Sequence, residues 1–292
     1  MNKNDVYQDV TNRIIDALEA GLNGKFELPW HGVTQLPENA LTAKRYKGVN
    51  VPLLWAYQMS EGFQSGIWAT YKQWQERGAQ VKKGEKSAQI VFWKMLQQEP
   101  NHDNEEQSQR MFARWSRVFN ADQVEGFALD ADFKPSEIAS IGAADALIDA
   151  SGADIRHGEI KAYYSPSGDF INMPSPERFK DTADSTATEN YYSTLLHELT
   201  HWTGAEHRLD RFPSDKFNKL EYAFEELVAE LGAAMACAST GVEALPREDH
   251  AQYIACWLKA LKDDKKFIFS AASHAQKAVD FLYSSSEMRE AA

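Results

Sequence analysis

The stretch Asn190–Gly204, NYYSTLLHELTHWTG, constrains this chain more than any other. It spaces His197, Glu198 and His201 as His-Glu-x-x-His. Residues four apart on an α-helix share one face, so both imidazoles can reach a single ion. Tyr191, Leu195, Leu196 and Leu199 recur at helical intervals, which predicts a helix with one apolar stripe. Glu198, beside the first histidine, is then positioned as general base towards a water at the metal.

Two histidines leave such a site incomplete, so a third protein ligand must come from elsewhere. His207 is one source, because His197-x3-His201-x2-Gly204-x2-His207 has the metzincin spacing. The acidic segment EYAFEELVAELGAAMA is the other. There Glu226 would bind metal, and Glu230, one turn on, would orient a histidine. Leu227, Ala229, Leu231 and the run Gly232–Ala236 surround these acids with apolar residues, and carboxylates in such a helix need partners.

With 292 residues, 43% of them hydrophobic, the chain has material for about two domains with a substantial core. No apolar run is long enough to span a bilayer and the first residues lack a signal-peptide core, so a cytoplasmic protein without a membrane partner is expected. Cys237 and Cys256 both fall in apolar helical patterns and read as buried thiols.

A net charge of -12 argues against nucleic acid until its distribution is considered. Residues 41–95 hold nine Lys or Arg against three Glu, while the part beyond residue 130 carries nearly all the negative charge. Six of the eight tryptophans precede residue 116. Each of Trp55, Trp68, Trp74 and Trp93 suits a core. Together, aromatics interleaved with Arg45, Lys72, Lys82, Lys83 and Lys86 also suit a surface for single-stranded nucleic acid, where rings stack on bases and cations meet phosphates.

The pattern of elements is α+β. Helices are predicted at Val6–Leu22, Pro52–Ser60, Tyr71–Gly78, Pro135–Ser151, Lys219–Ser239, Ala251–Leu261 and Ala271–Tyr283. Strands are predicted at Ile67–Thr70, Ala88–Met95, Met111–Asn120, Lys161–Ser165 and Asp169–Met173. Gln97–Gln109 reads as a polar loop, and acidic Ala121–Phe133 marks the boundary between domains at 1–128 and 129–292.

Taken together, these motifs resemble the ArdC-type antirestriction proteins of conjugative plasmids. The resemblance rests first on Arg45-Tyr-Lys-Gly-Val-Asn50, Trp68 with Tyr71-Lys-Gln73, and Gly78-x-x-Val81-Lys-Lys-Gly-Glu-Lys86 leading into Val91-Phe-Trp93. It continues with Tyr164-x-Pro-x-x-Asp169-x-Ile171-x-Met-Pro174, HELTHWTG with Arg208-Leu-Asp-Arg211, and Glu225-Glu-Leu-Val-Ala-Glu-Leu231. It implies an N-terminal α+β domain that binds single-stranded DNA without sequence preference, adding Tyr46 and Lys47 to Arg45, Trp68, Lys72, Lys82, Lys83, Lys86 and Trp93 as contacts. Behind it would stand a zincin-like metallopeptidase domain holding Zn2+ or another divalent metal, and a role in protecting incoming DNA from host restriction. The resemblance favours Glu226 over His207 as third ligand, with Glu225 as a rival in register. Two readings stay open: a DNA-coating protein whose metal site is structural, or a working protease with a protein substrate.

Overall fold

Asp5 precedes the first apolar repeat, and its carboxylate accepts the Tyr7 N–H at 3.1 Å, capping a helix start. The helix that follows, α1 (Val6–Leu22), buries Val10, Ile14 and Leu18 completely along one stripe. The computed structural model describes residues 5–22, 28, 30, 35–96, 110–127, 137–182, 185–212, 217–243 and 251–290.

Next come β1 (Glu38–Asn39), α2 (Asn50–Glu61), β2 (Ile67–Ala69), α3 (Tyr71–Glu76), β3 (Gln80–Val81), β4 (Ala88–Leu96), β5 (Arg110–Asn120) and β6 (Val124–Glu125). Four strands form a sheet in the order β1-β2-β5-β4, with β1 parallel to β2 and the other pairs antiparallel. Strands β3 and β6 make a separate pair. The ribbon β4–β5 runs in unbroken register from Ala88↔Val118 to Leu96↔Arg110. Its alternation serves two cores: Ala88, Ile90 and Val118 pack with Leu54 and Trp68, whereas Val91 joins the larger cluster on the other side.

The second half consists of α4 (Glu137–Ser151), β7 (Asp154–His157), β8 (Tyr163–Ser165), β9 (Phe170–Met173), α5 (Ala187–Trp202), α6 (Lys219–Thr240), α7 (Ala251–Asp263) and α8 (Phe267–Glu290). Its sheet has the order β7-β9-β8, β7 parallel and β8 antiparallel to β9. Strand β8 is therefore an edge, and it lies beside α5. Helix α6 packs between α5 and α8.

One hydrophobic cluster runs through both halves, joining Val10, Trp30, Trp55 and Val91 to Leu195, Leu199, Val228 and Trp257. Polar ties cross the same seam. The Thr11 hydroxyl donates to the Lys265 carbonyl at 2.8 Å, and the Gly48 N–H donates to the Gln276 side chain at 3.1 Å. The boundary expected at 128/129 and the loop expected at 97–109 lie outside the described residues. Cys237 is buried, Cys256 is half-buried, and neither forms a disulfide. Among the described residues no helix is long and apolar enough to cross a membrane.

Candidate metal centre

Helix α5 opens with a reciprocal cap: the Thr186 hydroxyl accepts the Glu189 N–H, and the Glu189 carboxylate accepts the Thr186 N–H. Further along, Leu195, Leu196 and Leu199 are buried, and His197 and His201 share the face turned to α6, their rings 4.8 Å apart. Helix α6 opens the same way, with Asn218 and Glu221. Gly232 then allows α6 close to α5. A Cβ there would sit 2.5 Å from Thr200 Cγ2, so any side chain would wedge the helices apart.

That approach sets three buried carboxylates of α6 against the two imidazoles. Glu226 stands between them, Oε2 at 3.6 Å from His197 Nε2 and Oε1 at 3.7 Å from His201 Nε2. Glu230 faces His197 Nδ1 at 3.7 Å, and Glu225 faces His201 Nδ1 at 3.1 Å. The outer carboxylates are held in turn. Trp30 Nε1–H donates to Glu230 at 3.2 Å, and Arg211 donates to Glu225 at 3.1 and 2.8 Å.

The electrostatics suit a cation. Burial would raise the Glu226 carboxyl, but the neighbouring imidazoles of His197 and His201 hold it well below the usual carboxylate range. Glu225 is lowered against its burial by His201 and Arg211. Burial works to lower His201, yet Glu225 and Glu226 raise it overall, the mark of an electron-rich pocket. One ligand atom each from His197, His201 and Glu226 all lie within 4.8 Å of one another. The 3.6 and 3.7 Å separations are too long for hydrogen bonds. They are close to the ~3.4 Å between neighbouring ligands of a tetrahedral ion with bonds of about 2.1 Å. The residues present therefore fit a divalent metal.

Glu198 is buried, and its Oε2 accepts the backbone N–H of Tyr164 on β8 at 3.0 Å. In the register Tyr164 faces Ile171, and its N–H turns outward from the sheet to this carboxylate. The strand is pinned from behind. The Tyr164 hydroxyl donates to Asp169 at 2.9 Å, and Arg208 binds Asp169, Tyr164 and the Trp202 carbonyl while lying 3.8 Å over the Trp202 ring. Arg208 holds the Asp169 carboxyl down to about 2. Burial, then Asp169, push the Tyr164 phenol up to about 12. A cavity of about 270 Å3 opens over the centre, lined by His197, Glu198, His201 and Glu226 and by tyrosines 163, 164, 222 and 253.

The structure thus gathers His197, His201, Glu226 and Glu198. His207 lies apart, 63% exposed and 3.2 Å from Asp169. Glu225 bonds to the far nitrogen of His201, behind the metal face. Arg208, Arg211 and Trp30 were given no role from sequence. The two arginines stand out in Arg208-Leu-Asp-Arg211, but their partners are 39 and 14 residues away.

The expected DNA contacts separate into two groups. Arg45, Lys72, Lys82, Lys83 and Lys86 are exposed, Lys72 3.7 Å from Glu76 and Lys82 donating to the Asp122 carbonyl at 2.9 Å. Lys47 pairs with Asp280 at 3.1 Å. Tyr46 is half-buried, its hydroxyl accepting from Asn39 at 3.1 Å. The expectation for Trp68 is corrected: it is fully buried, like Trp55 and Trp74, and offers no ring face to a base. The side chain of Trp93 lies outside the described set.

Comparison with known proteins agrees with both halves. Residues 4–119 match the N-terminal domain of anti-restriction factor ArdC, and residues 142–274 match a zincin-like metallopeptidase family. An uncharacterized protein of Sinorhizobium fredii is 42% identical over 96% of this chain and 92% of its own length. A DNA primase TraC of Escherichia coli is 36% identical, but the chain spans only 27% of that protein. The metal-free crystal structure of antirestriction protein ArdC from plasmid R388 is 40% identical, covering 97% of this chain and 98% of that one, with a TM-score of 0.80. Its Mn(II)-bound form superposes over the same spans with a TM-score of 0.76. With that identity over almost the whole of both chains, the chain belongs to the ArdC family of antirestriction proteins.

Proposed function

We propose that this chain protects incoming plasmid DNA from restriction, binding the single-stranded form without sequence preference through its N-terminal half. The same chain would carry a divalent-metal centre, physiologically zinc, built for peptide-bond hydrolysis. The observation that carries the hydrolytic part is Glu198, buried on the cavity wall, with its carboxylate held by an edge-strand amide beside the ligand cluster. A purely structural metal site has no use for such a base. The relative solved in a Mn(II)-bound form supports a divalent ion at the cluster.

His197, His201 and Glu226 would hold the metal, with Glu230 and Glu225 fixing the two imidazole rings from behind. A divalent ion there supplies Lewis acidity, polarising a carbonyl and making water a better acid near neutral pH. The rest falls to the protein. An extended peptide lies along edge strand β8, with the Tyr164 N–H passing from Glu198 to the peptide as Glu198 turns to the water, which sets a scissile carbonyl along the cavity. Glu198 removes a proton from the attacking water and delivers it to the departing amine. Tyr163, Tyr222 and Tyr253 line the rest of the cavity, giving it an aromatic wall for substrate side chains.

The test is a transfer assay into a restricting recipient, with wild type, Glu198→Gln and His197→Ala compared for protection, metal content and affinity for a single-stranded oligonucleotide. The proposal expects Glu198→Gln to keep metal and DNA binding while losing hydrolysis of unfolded protein substrates. Loss of metal in Glu198→Gln, or no DNA binding by wild type at low salt, would sink it.

A further inference from the structure

Phe92 is 60% exposed in the middle of a regular strand, an odd place for a ring in a protein that buries Trp55, Trp68 and Trp74 completely. On β4 it follows Ile90 on the same face, just where that face passes the end of the core formed by Leu54, Trp68, Ala88, Ile90 and Val118. Directly across the ribbon stands Arg114, also exposed, in register with Phe92. Arg114 makes no ion pair among the described residues, unlike Lys47 and Lys72.

At Gln89 and Val91 the open edge of β4 is closed to another strand. Asn50 donates Nδ2–H to the Val91 carbonyl and accepts the Val91 N–H, both at 2.8 Å, in the manner of a neighbouring strand. The Gln89 N–H donates to the Tyr57 hydroxyl at 3.2 Å. These side chains occupy the groups that edge-to-edge pairing would use. What remains is a sheet face bearing an aromatic ring beside a guanidinium that makes no ion pair among the described residues. A ring for a base and a cation for the adjoining phosphate is the chemistry of single-stranded nucleic acid on a sheet.

From this geometry we infer that Phe92 is the base-stacking residue of the N-terminal half, with Arg114 as its phosphate contact. The inference rests on the single-strand binding proposed above and assigns its stacking element. Fluorescence anisotropy with labelled oligothymidylate, on the full chain across a salt series, tests it. Phe92→Ala is expected to weaken binding roughly 5- to 150-fold, the range for loss of one stacked base, with the salt slope unchanged. Phe92→Trp should restore affinity. Arg114→Gln should weaken binding and make the log–log salt slope shallower by about 0.7, one phosphate contact on a single strand. On an abasic oligonucleotide, wild type and Phe92→Ala should bind alike. Wild-type binding unaffected by Phe92→Ala overturns this assignment while leaving the proposed function standing. No wild-type binding at low salt overturns both. A change in sedimentation of Phe92→Ala without a change in DNA affinity would make the face a contact between copies instead.

Discussion

Replacing Arg211 by alanine is expected to be among the most damaging single changes in the second half. Its side chain is 2% exposed and donates to Glu225 at 3.1 and 2.8 Å, to the Thr200 carbonyl at 2.7 Å and to the Thr203 hydroxyl at 2.8 Å. Truncation strands the Glu225 carboxylate, itself 5% exposed, with His201 as its remaining partner. Removing one member of a buried ion pair costs about 3–5 kcal/mol. The Thr200 carbonyl keeps the Thr203 hydroxyl as a donor at 2.7 Å, so nothing is added for it. At roughly 2–4 °C per kcal/mol for a large domain, the melting temperature should fall by about 6–20 °C. The informative variant is the pair Arg211→Met with Glu225→Leu, which removes both charges and keeps most of the volume. It should recover most of the lost stability, because the cost lies in the uncompensated charge and not in the pair itself. Urea unfolding of metal-free protein supplies the four corners of the cycle. A single-variant cost under about 1 kcal/mol, or a double variant whose loss equals the sum of the singles, refutes the reasoning.

Other consequences follow from the same contacts. Asn50→Ala strands the N–H and carbonyl of Val91 and should cost about 2 kcal/mol, with faster hydrogen exchange at Val91 and its neighbours on β4. Gly232→Val should push α6 off α5 through Thr200, and zinc affinity by equilibrium dialysis should fall along with stability. Asp169 is held down to about 2 by Arg208, below the ~3.9 of an unfolded aspartate. Its contribution should therefore be complete above about pH 4 and lost as pH falls towards 2. Asp169→Asn should flatten that acid limb of the stability curve, and an unchanged limb would show that the clamp contributes nothing.

The elements with strong local signals were legible from sequence. Apolar spacing announces α5 and α6, and the i, i+4 histidines appear on the face their spacing requires, whereas the caps Thr186-x-x-Glu189 and Asn218-x-x-Glu221 emerge only with the structure. The choice between Glu226 and His207 was not legible from spacing alone. It turns on the chain reversal after Gly204, where Arg208 reaches back to Asp169 and Arg211 across to Glu225, and His207 is left outside. Strand β7 was missed because Asp154-Ile-Arg-His157 alternates around a single apolar residue, and its pairing with β9 is decided by tertiary contact. For the aromatics, composition does not tell which rings are buried and which are exposed. The alternation of β4 faces Ile90 into one core and Val91 into another, so only three dimensions show that Phe92 is left outside, as Tyr71 is.

The central claim is that His197, His201 and Glu226 form one metal centre with Glu198 as its base, and an anomalous difference map of zinc-loaded crystals at the zinc edge tests it most directly. A single peak is expected at about 2.0–2.2 Å from Nε2 of His197, Nε2 of His201 and a carboxylate oxygen of Glu226, with Glu198 beside it and not bonded to it. A peak ligated by His207 in place of Glu226, or one that takes Glu198 as a ligand, would contradict the account.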